Sequence, residues 1–188
     1  IPIAHIHGGD AITGAMVDDS IRHSLTKFAH LHFPASDRSA ERVSNLGEAD
    51  WRITTVGAPG LDDILAGRYE PPDDTLDALE FDPGKPLILA LQHPVTLQPE
   101  RAGEQMRATL DAIDSFGSQV LLIYPNSDAG SAAIIDEIES RSFDESVRVE
   151  RSLPRERFLG VMAAADVMVG NSSSGIIEAP SFGLPVVD

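Results

Sequence analysis

The chain has 188 residues, enough for one sizeable core or parts of two domains, and 42% of it is hydrophobic, as in ordinary globular proteins. With 30 acidic residues against 14 basic ones, the net charge of −16 argues against a nucleic-acid surface, so any phosphate site has to be built locally from amides, hydroxyls and a few cations. The lack of cysteine excludes disulfides and thiolate metal sites; no apolar run nears the ~20 residues of a membrane span and no signal-peptide pattern is present, so a cytoplasmic location is expected.

In chain order, IPIAHIHGG reads as a strand ending at two glycines. DDSIRHSLTKFAH reads as a helix capped by Asp18 or Asp19, with Ile21, Leu25 and Phe28 on one stripe. LHFPAS is a short strand, DRSAERVSNLGE a helix ended by Gly47, WRITTVGAPG a strand running into a turn, and LDDILAG a short helix. The proline- and acid-rich stretch RYEPPDDTLDALEFDPGKP has the composition of a linker. Alternation then resumes: strand LILALQHPV, helix EQMRATLDAIDSFG with Met106, Leu110, Ile113 and Phe116 on one face, strand QVLLIYPN, helix SAAIIDEIESR. Strand VRVERSLP, helix RERFLGVMAAA, strand DVMVGN, short helix SSGIIEAPSFG and strand LPVVD complete the chain.

Apolar strands without polar alternation predict a parallel sheet covered on both faces. The repeated strand–helix order predicts an α/β, doubly wound, Rossmann-like architecture. The boundaries expected are the C-terminal part of a first such domain at 1–66, a linker at 67–86, and most of a second domain at 87–188. The chain begins at Ile1 and ends directly after a strand-like segment, so both domains are expected to be truncated.

In open α/β sheets, ligands sit beyond the carboxyl ends of the strands. HIHGGD, LQHPVT, YPNSDAGS and GNSSSG all fall there, and helix exteriors hold nothing comparable. In GNSSSG, Gly170 permits a tight turn, Asn171 can fix it, and Ser172 and Ser173 stand where a helix begins, with N–H and hydroxyl groups able to face an anion; serines also simply cap helices. Glu178 can accept hydrogen bonds from a vicinal diol or be a solvated helix residue. His93, before Pro94, can donate to a phosphate or titrate near neutral pH. Asn126 and Asp128 follow a strand and can serve a ligand or only the turn. Asp10, Asp18, Asp19 and Arg22 lie near one strand end, where carboxylates can divide acid and base roles or merely cap the helix. Strand alternation would place His5 with His7 and His30 with His32 on common faces, but no third ligand is evident, so no metal site is expected. The chain has no G-x-G-x-x-G after the first strand, no P-loop and no G-x-S-x-G elbow.

Taken in order, HIHGGD…DDSIRHSLTKFAHLHF, VGAPGLDDI, LQHPVT, PNSDAGS and GNSSSGIIEAPSFGLPVV resemble the UDP-N-acetylglucosamine 2-epimerase family, in the form of its hydrolysing branch, which feeds sialic-acid-type sugar synthesis. The resemblance spans nearly the whole chain and implies a two-domain GT-B-like fold that binds a nucleotide sugar. It implies that Ser172 and Ser173 hold the diphosphate, that Glu178 holds the ribose, and that His93 lies beside the phosphates and aids departure of UDP. Asn126 and Asp128 would line the sugar–nucleotide side, and Asp10, Asp18 or Asp19, and Arg22 would belong to the first domain's catalytic wall. Position 10 is Asp where members often carry Glu, a shorter reach. The family's upstream Gly-Asp-Arg and downstream Gly-Thr-Arg-Gln segments are not in this sequence, so the chain alone is expected to be inactive.

The implied chemistry is elimination of UDP to a 2-acetamidoglucal, then hydration to N-acetylmannosamine. It calls for no redox cofactor and no metal. The partners it implies are a UDP-sugar substrate and further copies of the chain in a homo-oligomer, not nucleic acid or membrane. Three alternatives stay open: a non-hydrolysing epimerase giving UDP-N-acetylmannosamine, another GT-B-type glycosyltransferase, and a non-catalytic nucleotide-sugar binding module.

Overall fold

In the computed structural model, which describes residues 1–11, 17–95 and 97–188, the chain divides into two units, Ile1–Asp62 and Asp63–Asp188. In the first, strands β1 (Ala4–Ile6) and β2 (Leu31–Phe33) pair in parallel with His5 opposite His32. A parallel pair needs a crossover, and helix α1 (Val17–Phe28) supplies it. Helix α2 (Asp37–Asn45) starts where the Ser36 hydroxyl accepts the Ser39 N–H at 3.2 Å and stops before Gly47, whose φ of +90° suits glycine.

Two expectations for this unit change. WRITTVG is not a regular strand: Asp50–Arg52 is a 3-10 turn, Ile53 makes an isolated parallel bridge to His32, and the Thr54 and Val56 N–H groups donate to the His32 and Pro34 carbonyls. The apolar stripe of α1 does not face a core. Ile21, Leu25 and Phe28 are exposed, while Thr26 and Ala29 are buried. The helix is docked by its polar side, where Thr26 Oγ1 meets His5 Nδ1 at 3.2 Å.

The second unit carries α3 (Asp62–Leu65) at its boundary, α4 (Pro72–Ala78), and then alternating strands and helices. These are β3 (Leu87–Leu91), α5 (Ala102–Asp114), β4 (Gln119–Ile123), α6 (Ser131–Glu139), β5 (Val147–Glu150), α7 (Arg155–Ala164), β6 (Val167–Val169), α8 (Ser174–Ile177), α9 (Ala179–Phe182) and β7 (Val186–Val187). All five strands run parallel in the order β5-β4-β3-β6-β7. The chain thus starts at the centre, winds out one way, returns and winds out the other, with its switch point between β3 and β6.

Every residue of β3 and β4 is buried, as unbroken apolar runs predict for strands covered on both faces. On one face Ile88, Ala90, Val120 and Leu122 pack with Met106, Leu110 and Ile113 of α5 and Ile134 and Ile138 of α6. Each of the larger side chains, Ala90 apart, contributes about 1.5–3 kcal/mol by leaving water. Phe116, expected on the same stripe, lies past the end of α5 and is exposed. The other face of β3 is met by α7, which buries Leu159 and Met162.

The stretch 67–86 is not a free linker. Its middle is α4, packed on α7, and Glu70 holds Arg157 through two hydrogen bonds of 2.8 and 3.0 Å while accepting the Thr75 hydroxyl at 3.1 Å. Arg157 holds the Glu70 carboxyl below its ordinary range. Proline here begins a helix, where its missing N–H costs nothing.

Gly170, at the end of β6, has φ +125°, and a Cβ built there would fall 2.1 Å from the Leu91 carbonyl oxygen. Gly170→Ala is therefore expected to cost about 1–3 kcal/mol of stability in backbone strain alone, with the clash between strand ends added, and so to lower the urea midpoint. An unshifted midpoint would show that the two strand exits can part freely.

Candidate functional site

At the switch point the chain leaves β3 through Gln92 and His93 and leaves β6 through Gly170 and Asn171. The Asn171 side chain joins the two exits. Its Oδ1 accepts the His93 N–H at 2.7 Å and its Nδ2 donates to the His93 carbonyl at 3.0 Å. A side-chain amide carries both the donor and the acceptor this pairing needs, which a carboxylate or an ammonium group does not. Sequence reading assigned Asn171 to its own turn; a partner 78 residues away could not be read from spacing.

The imidazole of His93 is fixed as well. The Asn126 N–H donates to His93 Nδ1 at 3.2 Å, so in the neutral ring Nε2 carries the proton and is the donor available to a ligand. Burial holds the His93 pKa below the ordinary 6.5, with the Asp128 charge pulling the other way. Asn126 thus reaches His93 through its backbone, its side chain being exposed beside exposed Asp128.

Ser172 is buried and Ser173 exposed. The helix they precede is only four residues long, so a macrodipole adds little here. The Ser174 N–H leans on Ser172 Oγ at 3.4 Å, and the Ser172 and Ser173 carbonyls accept the Gly175 and Ile176 N–H groups. Any anion site at this turn rests on the local hydroxyls and amides rather than on a long helix. Glu178 ends α8, and its side chain is 13% exposed. Arg155, at the start of α7, sets Nη1 3.7 Å from Glu178 Oε1 and Nε 3.5 Å from Asp63 Oδ2. Sequence reading missed Arg155, which no motif marks.

The first unit holds a separate cluster at the carboxyl end of β1. Asp10 accepts the Ser39 hydroxyl on Oδ1 at 2.7 Å and meets His7 Nδ1 through Oδ2 at 3.0 Å. Arg22 donates to the Asp10 carbonyl at 2.9 Å and to Asp19 Oδ1 at 3.3 Å. Arg42 donates to the Gly9 carbonyl at 3.0 Å, and Gly9, with φ +81°, leaves no room for a Cβ against the Ser39 carbonyl. Asp18 and Asp19 stand in the first turn of α1, Asp18 exposed and Asp19 partly covered. Asp10, Asp19 and Arg22 are thus brought together.

The histidine pairs expected to share strand faces do not. His7 has left β1 and adopts φ +61°; His30 precedes β2 and accepts the Ile3 N–H at 3.1 Å. His32 is buried with Nε2 3.3 Å from Glu48 Oε2, and Glu48 also takes Lys27, whose hydrogen bond chiefly holds the Glu48 carboxyl below its ordinary range. Among the described residues no three or more His, Asp or Glu side chains form a metal cluster, and no helix is long and apolar enough to cross a membrane.

Known proteins match this arrangement along its whole length. The family model for UDP-N-acetylglucosamine 2-epimerase matches residues 1–188. The chain is 38% identical over 188 residues to a UDP-N,N'-diacetylbacillosamine 2-epimerase (hydrolysing) of Legionella pneumophila, covering 100% of this chain and 49% of the relative. It is 33% identical over 186 residues to a UDP-N-acetylglucosamine 2-epimerase of Neisseria meningitidis, covering 99% and 48%. The crystal structure of the Neisseria meningitidis UDP-GlcNAc 2-epimerase bound to UDP-GlcNAc superposes with a TM-score of 0.78 at 16% identity, covering 100% of this chain and 52% of that one. The chain spans about half the length of the curated relatives it matches. The α/β, Rossmann-like class expected from the strand–helix order is the GT-B-like fold of these neighbours. A family match over every residue, with the exits of β3, β4 and β6 meeting at a doubly wound switch point, leads to one conclusion: this chain belongs to the UDP-N-acetylglucosamine 2-epimerase family.

Proposed function

We propose that the protein carrying this chain is a hydrolysing UDP-sugar 2-epimerase, acting on UDP-N-acetylglucosamine or a diacetamido relative and releasing the free 2-epimeric sugar and UDP. The observation that carries this reading is the joined pair of strand exits, with a rigid Nε2–H donor at His93 and a serine turn beside it. In this reading the second unit binds UDP: Ser172 and Ser173 take the diphosphate, Glu178 the ribose diol, and Asn126 and Asp128 flank His93. The first unit supplies proton transfer from the wall formed around Asp10 and Asp18 or Asp19, with Arg22 holding that wall together. The C2 proton is not acidic, so its removal needs a placed base and a stabilised leaving group at once. The hydrolysing outcome is favoured by the Legionella pneumophila relative, whose name carries it at 38% identity.

Product analysis of the full-length protein with UDP-N-acetylglucosamine or its diacetamido relative tests the reading. Free 2-epimeric sugar plus UDP supports it. UDP-N-acetylmannosamine indicates the non-hydrolysing reaction instead, which the Neisseria meningitidis relative named without the hydrolysing label keeps in view. A requirement for an acceptor sugar, or UDP-sugar binding without turnover, would overturn it.

The helix-start carboxylates give a second test. A purely capping Asp18 or Asp19 would cost about 0.5–2 kcal/mol of stability when changed to Ala and leave the chemistry alone. In the proposed role, Asp18→Asn or Asp19→Asn is expected to lower the rate about 10²-fold or more, the ordinary scale for acid–base groups, and to slow C2–H exchange in heavy water. Wild-type rates and exchange in both variants would take these residues out of the chemistry.

A further inference from the structure

Asp10 is poorly placed to carry a proton by itself, because both of its carboxylate oxygens are occupied, one by the Ser39 hydroxyl and one by His7 Nδ1. The carboxylate accepts at that contact, so His7 donates through Nδ1 and keeps a basic lone pair on Nε2. The His7 side chain is 39% exposed, open enough to meet a ligand. Its backbone has φ +61°, a costly setting for a residue with a Cβ, and its N–H is tied to the Phe33 carbonyl at 3.1 Å. The next residues are held hard: Gly9 cannot carry a side chain, Arg42 grips its carbonyl, and Arg22 grips that of Asp10. A strained histidine at a strand end, with a carboxylate behind one nitrogen and that carboxylate itself anchored by a buried serine, is the arrangement of an oriented general base.

We propose that His7 is a catalytic proton-transfer residue of the epimerase reaction, and that Asp10 and Ser39 are its positioning residues. The inference rests on the functional reading above. In the elimination step, the Nε2 lone pair takes the C2 proton of the bound 2-acetamido sugar. The C2–H electron pair becomes the C1=C2 π bond, and the C1–O pair leaves with UDP. The products are the 2-acetamidoglucal, UDP and an imidazolium whose charge is shared with Asp10. Asp10 acts by holding the ring and its Nδ1–H, and Ser39 acts by holding Asp10.

The test uses the full-length protein with His7→Gly, which suits the positive φ and opens space for a small base, and His7→Asn, which tolerates the same backbone setting. Calorimetry with UDP first confirms an intact nucleotide site. Both variants are expected to bind UDP within about twofold of wild type. Both are expected to lose 10²-fold or more in kcat together with C2 deuterium exchange in heavy water. Added imidazole should restore the rate of His7→Gly in proportion to its concentration. Asp10→Asn should cost less than His7→Gly, and the double variant should fall no further than His7→Gly alone. Turnover and exchange within threefold of wild type in His7→Gly would overturn the proposal. So would a UDP-binding His7→Gly that imidazole does not restore, or a double variant slower by the product of the single losses. If the wild-type protein itself neither exchanges C2 nor releases the 2-epimer, the functional reading fails and not this assignment alone.

Discussion

Replacing Ser172 and Ser173 together by Ala in the full-length protein is expected to raise the UDP dissociation constant about 10²–10⁴-fold, since each charge-assisted contact is worth about 1.5–3 kcal/mol. The two positions carry separable information. Ser173 is exposed and its side chain caps nothing, so Ser173→Ala reads the ligand contact with little cost to the fold. Ser172 is buried under the turn and receives the Ser174 N–H, so Ser172→Ala is expected to cost some stability as well. Because α8 is so short, the hydroxyls cannot be replaced by a strong helix-end field. Calorimetry with UDP decides the matter: unchanged affinity in a folded double variant would remove the phosphate assignment.

His93→Ala is expected to lower kcat about 10²–10³-fold while raising KM much less, the pattern of a donor whose effect grows as charge develops on the leaving oxygen. The structure specifies how. With Nδ1 occupied by the Asn126 N–H, the neutral ring presents Nε2–H, and burial favours that neutral form. In the proposed role His93 therefore acts as a hydrogen-bond donor rather than as a standing cation. Its NMR titration in the ligand-free protein should have a midpoint below 6.5. The sign for stability follows from that direction. The native state takes up this proton less readily than the unfolded chain, so the contribution is intact above pH 6.5 and is lost as pH falls through the native pKa. A kcat within twofold of wild type would make His93 a structural residue, and a titration above 6.5 would overturn its reading as a neutral donor.

Several features of this protein are decided by local chemistry and are therefore legible without coordinates. The apolar runs at Leu87–Leu91 and Val120–Ile123, short and set between turn residues, read as strands buried on both faces. Helix-period spacing placed Met106, Leu110 and Ile113 in the core. Glycines and serines after strands mark exits where the backbone turns, which drew attention to His93, Gly170, Ser172 and Asp10 before any fold was known. Segment composition was a poorer guide to 67–86, because a proline that breaks a helix interior also starts one, and only contact with α7 shows which case holds.

Only the tertiary structure decided which exits are neighbours. The order β5-β4-β3-β6-β7 sets β3 beside β6, so Asn171 can hold both backbone groups of a histidine 78 residues away and tie the two strand exits together. The same holds for the partners of single side chains: Arg155 at Glu178, Ser39 and His7 on Asp10, His5 rather than an apolar face docking α1. Periodicity says which side of a helix is apolar, but not whether the chain supplies a surface to cover it, and for Ile21, Leu25 and Phe28 the described residues do not. Local sequence sets the conformations each segment prefers; the pairing of distant segments depends on the free energy of the whole packed arrangement, and no short stretch of residues contains that sum.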